Sequence, residues 1–503
     1  MARFTLLFVL GVWMSWSKRA FGPSDPASLS PTVSLAIFFG GYLALVAGIR
    51  LWALWVVRRS NRGFVRGLYR LQNYIQVARY LIPIWLAVGV YILKWGEAVE
   101  FMCHPLYNWP PQSNPTLQSN PIELPQALIG IAPAILAWVG MWWSYFPCDE
   151  ALREQSLFGN LNDDLPIHAP PTFAQSFGAK LRLQVMFTLV PVLCVLFVHD
   201  LAVAGLYFCG VHNGGDIADW LMIPATIAVF IYAPELLRRA LSTQKLPDSP
   251  LRRRLEEMCR RLKLRYRDIL LWRTGDTMGN AAVMGVLPRV RYVLLSDLLL
   301  ETMTDEQIEA VFAHELGHVV HKHLIWLGVY ILLTVLLITG PETYALQFVH
   351  NWYVGHWSAA SWDNVEGLLD VVIAFAAIIL AFGYLSPRFE RQADVFAART
   401  MQQQRSDPQG QTASFVDEYG AGLFASALQR VAIINHVPFN ARNWSHGSIA
   451  KRVSAVLEMS ADPQRTWQFD RFMTRLYITL IILLLCGGAV CALMPAAAFT
   501  AGR

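Results

Sequence analysis

The sequence HELGH at residues 314–318 contains two histidines and a glutamate at the spacing of a metal site. On a helix, residues four apart lie one turn apart on the same face, so His314 and His318 can bind one Zn²⁺ ion. Glu315 lies between them, where a carboxylate can act as a general base toward water that the metal activates. The motif therefore predicts zinc-dependent hydrolysis. The alternative is a buried helix whose histidines only satisfy hydrogen bonds.

The residues before the motif predict the helix that must carry it. Thr304 and Gln307 have the spacing of a capping box, and acidic residues between them suit the positive end of the helix dipole. Apolar residues recur at helical spacing from Ile308 to Val319 and indicate a face that packs on a core. The two histidines and Glu315 are thus expected inside one amphipathic helix.

The composition is that of a membrane protein. Of 503 residues, 55% are hydrophobic and only 15% are charged, and 18 are tryptophan. The apolar stretches predict about eight transmembrane helices, near Pro31–Val57, Ala78–Trp95, Gln126–Phe146, Leu183–Leu206, Trp220–Tyr232, Leu324–Ile338, Gly367–Leu385 and Leu476–Met494. A shorter run, Phe4–Trp16, is interpreted as a retained span or signal anchor rather than a cleaved signal peptide.

Segments rich in lysine and arginine alternate with segments that contain neither, and this pattern predicts how the chain is oriented in the membrane. Basic segments at 58–70, 149–182 and 238–273 are separated by 98–124, 207–219 and 341–366, which contain no lysine or arginine. By the positive-inside rule, the basic segments face the cytoplasm. The HELGH helix and the region after Arg388 then both lie on the cytoplasmic side.

The net charge of +5 comes from these basic segments, which include a run that begins at Arg252-Arg253-Arg254. Next to a membrane span, such a run typically contacts anionic lipid headgroups. No nucleic-acid-binding motif accompanies it, so a nucleic-acid partner is not expected. The seven cysteines are scattered and lack the spacing of a structural zinc site.

These patterns predict a mainly α, polytopic membrane protein with a cytoplasmic α+β catalytic domain that two spans divide. Strands are expected at Ile269–Trp272, Ala281–Met284 and Arg291–Leu295, and a loop at Gln402–Ser414. The predicted regions are an N-terminal membrane region at 1–238, the first catalytic half at 239–323, a transmembrane hairpin at 324–385, the second catalytic half at 386–473 and a C-terminal transmembrane helix at 474–503.

A catalytic zinc ion normally has three protein ligands, so a third ligand is needed. His321 lies about 10 Å along the helix axis from His314, and we interpret His321 and His323 as polar residues near the membrane interface. Glu390 is the better candidate, because it begins the segment after the hairpin and returns to the same membrane face. Asp394 shares its helix face and can accept the free ring N–H of a zinc-bound histidine.

The arrangement of these residues resembles the M48 family of membrane metalloproteases, which are gluzincins of the HtpX-like and CAAX prenyl protease types. HELGH is followed by a two-span hairpin and by FERQAD at 389–394, which contains the family's E-x-x-A-D core. The segment 280–285, NAAVMG, resembles the family's N-A-x-x-x-G strand. His446 and Arg452 resemble its late H-P-x-x-x-x-R element, with Gly447 in place of proline. The resemblance covers about residues 251–457.

The resemblance implies a zincin-type catalytic domain with one zinc ion per chain. His314, His318 and Glu390 would bind the ion, Glu315 would be the general base, and Asp394 would hold a ligand in place.

The resemblance also implies two further site residues. His446 would stabilise the oxyanion, as the family's late histidine does, with Arg452 in support; the alternative is a loop histidine. Asn280, at a predicted sheet edge, would bind the backbone of a substrate that adds to that edge as an extra strand; the alternative is a turn asparagine after Gly279.

The predicted function is that of a zinc metalloendopeptidase of the EC 3.4.24 type, acting on protein or peptide substrates at the cytoplasmic membrane face. Membrane protein quality control is one biological setting, and membrane lipid is an expected partner. A BlaR-like regulatory sensor-protease, or a catalytically inactive membrane scaffold or transporter, is the alternative. The oligomeric state and the cleavage preference stay open.

Overall fold

The structure, a computed structural model, describes residues 6, 8–13, 30–58, 64–107, 123–162, 172–211, 214–275, 278–354, 362–406, 415–435, 437–440 and 447–493. Its internal contacts divide the chain into two units. Unit 1 consists of Met1–Ala233 and His350–Val372, and unit 2 consists of Pro234–Val349 and Ile373–Arg503.

Unit 1 is mainly helical in the part that the structure describes. Its helices are α1 (Pro31–Arg58), α2 (Phe64–Tyr91), α3 (Trp95–Tyr107), α4 (Leu124–Asn162), α5 (Phe173–Lys180), α6 (Phe187–Phe208) and the first part of α7 (Gly214–Ala240). A π-helical segment, Leu181–Met186, joins α5 to α6. Two hydrogen bonds tie α1 to α2: the Tyr42 hydroxyl donates to the Ile82 carbonyl, and the Trp85 indole donates to the Phe38 carbonyl.

Four of the described helices are long and apolar enough to cross a membrane, namely Pro31–Arg58, Leu124–Ala151, Phe173–Phe208 and Pro463–Ala489. Two bent helix pairs bring the number to six if each pair is one span: Val77–Tyr91 with Trp95–Cys103, and Asp305–Val320 with His323–Thr334. The expected spans at 220–232 and 367–385 are helical but are not among these candidates. Eight spans therefore stay a prediction. Much of the 4–16 run lies outside the described residues.

The sheet of unit 2 has four strands: β1 (Thr243–Lys245), β2 (Asp268–Trp272), β3 (Ala281–Met284) and β4 (Tyr292–Ser296). Their order is β1-β2-β4-β3, with β2 parallel to β4 and both outer pairs antiparallel. The three expected strands correspond to β2, β3 and β4. Every residue of β4 is buried, as its continuous apolar run and internal position require.

The turn between β3 and β4 depends on Gly285. Its φ of +98° lies in the left-handed region, and a Cβ there would overlap the Val290 carbonyl oxygen. Arg291 closes the turn by donating to the carbonyl oxygens of Gly285 and Arg265.

The helices of unit 2 lie before, between and after these strands in the sequence. They are the end of α7, α8 (Pro250–Arg261), a 3₁₀ turn (Pro288–Val290), α9 (Asp297–Thr302), α10 (Asp305–Val320), α11 (His323–Val354), α12 (Trp362–Ser406), α13 (Glu418–Ile434), α14 (Ile449–Ala461) and α15 (Pro463–Leu493). The C-terminal end of α11 and the N-terminal end of α12 belong to unit 1. The expected loop at 402–414 is wrong in its first part, because α12 stays helical to Ser406; residues 407–414 lie outside the described residues.

Part of the basic run has a structural role. Arg252 is buried and pairs with Glu256 and Asp268, which ties α8 to β2. Arg254 pairs with Asp305 and Glu309 on α10. The expectation of lipid contact is therefore wrong for Arg252, because it is buried within the fold. Arg254 keeps a half-exposed side chain beside its acidic partners, so lipid contact there stays a prediction.

The core of unit 2 lies between the sheet and the helices. Phe312 and Leu316 of α10 are fully buried there, together with Val293 and Leu295 of β4 and Phe424 of α13. Burying each such side chain contributes about 1.5–3 kcal/mol. The apolar face of α10 thus fixes which side of the helix presents the HELGH motif.

Candidate metal centre

Helix α10 begins as its sequence predicts. The Thr304 hydroxyl accepts from the Gln307 N–H, and the Gln307 side chain accepts from the Thr304 N–H, which completes a capping box. With the apolar face packed on the core, His314 is buried, and Glu315 and His318 are half-buried. The helix therefore presents its three functional side chains at the border of the core.

Helix α12 brings Glu390 to the two histidines because α10 and α12 approach closely at Gly317. A Cβ at Gly317 would lie 3.1 Å from the Ala393 Cα and 3.3 Å from its Cβ. Small residues on both helices permit this approach. Glu390 lies one turn before this contact point and is 5% exposed.

Three ligand atoms converge at this point. The Nε2 atoms of His314 and His318 are 3.3 Å apart, and Glu390 oxygens lie 3.6 Å from the first and 3.8 Å from the second. A tetrahedral zinc ion with bonds of about 2.0–2.2 Å holds its donor atoms about 3.3–3.6 Å apart. Two imidazoles and a carboxylate at this spacing fit zinc. They are the metal-binding group found among the described residues.

Asp394 supports the first ligand. Its Oδ1 lies 3.0 Å from Nδ1 of His314, so the nitrogen that faces away from the other ligands meets a carboxylate. Asp394 is 1% exposed and needs a counter-charge. Arg452 on α14 provides it with two hydrogen bonds, of 2.9 Å from Nε and 2.5 Å from Nη2. The Nη1 atom of Arg452 also lies 3.1 Å from Glu390.

The electrostatics of the metal-free site follow from this arrangement. Burial lowers the pKa of His314, but the nearby carboxylates of Asp394 and Glu390 outweigh burial and raise that pKa to about 9. Burial, together with the charge on His314, lowers the pKa of His318 to about 3. The charge on Arg452 outweighs burial and lowers the pKa of Asp394. One histidine is therefore protonated at neutral pH, and the other is not.

His323 contacts the site although the sequence interpretation gave it no role there. It lies at the start of α11, is 5% exposed, and its Nδ1 lies 2.8 Å from Nδ1 of His318. Its Nε2 lies 2.9 Å from Oε1 of Gln392, which also accepts a 2.6 Å hydrogen bond from the Tyr477 hydroxyl. The available signal was a histidine placed just after the predicted end of the HELGH helix. His321 is not in the metal-binding group. Its ring packs against the rings of Phe396 and His323.

Asn280 directly precedes β3, and its side chain is exposed. Its backbone N–H donates to the Ser296 hydroxyl at 2.8 Å, and its carbonyl accepts from the Ser296 N–H at 3.0 Å. The preceding Gly279 exchanges two hydrogen bonds with the Asn435 side chain, of 3.0 and 2.7 Å. Asn435 was missed at the sequence level, because nothing local indicates a contact with residue 279.

His446 lies outside the described residues. The chain resumes at Gly447, whose φ of +73° is left-handed, and Ser448 then caps α14. Glycine takes this conformation without strain, which suits its presence where the family pattern has proline.

The region that contains this site is similar to known proteins. The model of peptidase family M48 matches residues 245–460. The CAAX prenyl protease 1 homologs of Arabidopsis thaliana and Oryza sativa subsp. japonica are each 24% identical over 221 residues, 42% of this chain and 48% of each relative. The chain thus spans about half the length of these curated relatives. The crystal structure of S. mikatae Ste24p matches with 14% identity and a TM-score of 0.41, over 90% of this chain and 97% of that one.

Proposed function

We propose that this chain is a zinc-dependent endopeptidase of the membrane, from the match of residues 245–460 to the model of peptidase family M48. The observation that carries the proposal is the convergence of His314, His318 and Glu390, with every donor atom within 4.8 Å of the others. Asp394 and Arg452 behind them provide the support that a metal-ligating histidine requires. A scaffold without catalytic function has no need of this combination.

His314, His318 and Glu390 would hold the zinc ion, one per chain. A bound zinc ion supplies Lewis-acid activation of water and of the scissile carbonyl. Glu315 would accept the proton of the attacking water and return it to the leaving amine, which a half-buried carboxylate beside the ligands can do. By family resemblance, His446 would donate a hydrogen bond to the oxyanion.

Substrate would bind along β3. This strand pairs with β4 on one side and has no second strand partner among the described residues, so an extended peptide can add to it. Asn280, exposed at the start of β3, would hold the peptide backbone. Its own backbone is fixed by Ser296, so the side chain extends from a rigid position.

The membrane setting suggests where the enzyme works. Several described helices are apolar enough to span a bilayer, and the distribution of lysine and arginine favours a cytoplasmic catalytic site. Polypeptides at the cytoplasmic membrane face would then be substrates, as in membrane protein quality control. The eight-span, divided α+β arrangement is part of the same proposal.

The test is cleavage of an unfolded reporter protein by the detergent-purified full chain, with zinc content measured on the same sample. We expect Glu315→Gln to keep zinc and lose cleavage, because the amide preserves shape but cannot accept the proton. Glu390→Ala should lose zinc. Glu306→Gln, at an exposed position in the first turn of α10, is the matched control and should do neither. A wild-type chain that binds no zinc would overturn the proposal.

A further inference from the structure

The two histidine ligands have different partners at Nδ1, the ring nitrogen that does not face the metal position. The partner of His314 is a carboxylate, and the partner of His318 is another histidine. If Nε2 of His318 binds a metal ion, then Nδ1 carries the hydrogen and needs an acceptor. The nearest described partner is Nδ1 of His323, at 2.8 Å. His314, in contrast, has the carboxylate of Asp394 at its Nδ1.

The next contacts determine the direction of hydrogen bonding. If His323 accepts at Nδ1, its hydrogen is on Nε2, which lies 2.9 Å from Oε1 of Gln392. That oxygen accepts a second hydrogen bond, of 2.6 Å, from the hydroxyl of Tyr477. In the reverse direction, His318 would accept at Nδ1 and carry its hydrogen on Nε2, where it could not bind metal. Only one direction of the chain therefore leaves the metal-binding lone pair free.

Packing holds the rings of this chain in position. The His323 ring stacks on Phe389, with centroids 4.4 Å apart and planes 6° apart. Phe389 directly precedes Glu390, so the helix turn that supplies the third ligand also orients His323. Tyr477 stacks on Trp326, with centroids 4.4 Å apart. Residues of α12 and α15 thus hold His323, the α11 residue that contacts His318.

We propose that His323 is a positioning residue for His318, and that Gln392 and Tyr477 fix its tautomer through this hydrogen-bond chain. The inference rests on the proposed zinc site and extends it to the C-terminal helix α15, which contributes Tyr477. These neutral hydrogen-bonding groups hold the His318 ring in the orientation that places its Nε2 beside His314 Nε2 and Glu390.

The test measures zinc affinity of the full-length protein in detergent, by competition with a fluorescent zinc chelator. His323→Leu removes the acceptor and should weaken zinc binding about 10–100-fold, the usual effect of losing such a partner. His323→Asn keeps an acceptor near the position of Nδ1 and should recover most of that loss. Tyr477→Phe removes one hydroxyl and should weaken binding by less, about threefold to tenfold. Thr474→Val, which removes an exposed hydroxyl from the same helix as Tyr477, is the control and should bind zinc as wild type does.

The comparison between Asn and Leu separates positioning from packing. If both variants at 323 lose zinc equally, or if His323→Leu keeps wild-type affinity, the inference is overturned. Melting of the metal-free proteins in chelator shows whether a variant is folded; if His323→Leu is not, Tyr477→Phe against wild type decides. A wild type that binds zinc and cleaves nothing would count against the proposed peptidase function, while leaving this test of the metal site intact.

Discussion

Arg452 donates a hydrogen bond to each carboxylate oxygen of Asp394, from Nε to Oδ2 at 2.9 Å and from Nη2 to Oδ1 at 2.5 Å. The carboxylate is almost completely buried, and its Oδ1 also lies 3.0 Å from Nδ1 of His314. A helix near the end of the chain thereby sets the position of a ligand more than 130 residues earlier. This geometry gives Arg452 a role that the sequence pattern only suggested.

Replacing Arg452 should destabilise the protein strongly. Arg452→Met would leave Asp394 and Glu390 buried without their counter-charge, at a cost of about 3–5 kcal/mol. Arg452→Lys should be intermediate, because an ammonium cannot make both hydrogen bonds to Asp394. Thermal unfolding of the metal-free protein in chelator measures the effect. Arg465→Met, which removes an exposed pair with Glu458, should change stability by less than about 1 kcal/mol. Equal melting of the 452 and 465 variants would contradict this account.

Enlarging Gly317 should separate the two ligand-bearing helices. A Cβ at this position meets Ala393 and the Phe396 ring at 3.1–3.3 Å, so Gly317→Ala requires a small shift. Gly317→Val requires a larger one and should cost about 1–3 kcal/mol. Since Glu390 moves with α12, zinc affinity should fall in the same order. Gly328→Ala on α11 has open space around its Cβ, so it should leave zinc affinity unchanged and should not lower the melting temperature. Wild-type zinc affinity in Gly317→Val would disprove the close-approach argument.

Zinc affinity should rise with pH. In the metal-free protein the pKa of His314 is raised to about 9, so below that pH a proton must leave before the ring can bind metal. Each unit of pH should therefore increase affinity about tenfold up to about pH 9, and then the increase should stop. His318, with its pKa lowered to about 3, is neutral throughout and adds no dependence. Titration calorimetry in buffers of different ionisation enthalpy should detect about one proton released per zinc ion at pH 7. A flat affinity between pH 6.5 and 8.5 would refute the assignment.

Asn435 should affect substrate binding more than turnover. Its side chain holds Gly279 with two hydrogen bonds, and Gly279 leads into Asn280 and β3. Asn435→Ala should loosen this edge and raise KM about fivefold to tenfold with little change in kcat, as expected for lost binding of the peptide backbone. Asn440→Ala, at an exposed turn, is the control. A fall in kcat at constant KM would place the role of Asn435 elsewhere.

Local physics made part of the fold predictable. The capping box at Thr304 and Gln307 depends on residues three apart, and both of its hydrogen bonds form. Strands β2, β3 and β4 have apolar or β-branched runs bounded by turn residues. Strand β1, Thr243-Gln244-Lys245, was missed because three polar residues have no such pattern, and only pairing with β2 makes them a strand.

The sequence by itself determined the spacing of His314, Glu315 and His318, since a helix places residues i and i+4 on one face whatever surrounds it. It also indicated Glu390 and Asp394, which share a helix face by the same rule. His323 was different, because on a continuous helix it would point away from His318. Helix α10 ends at Val320 with His321 as its C-cap, and Lys322 has a left-handed φ of +56°, so the chain bends by 44° and turns His323 back toward His318. Only the tertiary structure decided that contact, together with those of Gln392, Tyr477 and Arg452, because they join helices distant in sequence and no local pattern encodes such distances.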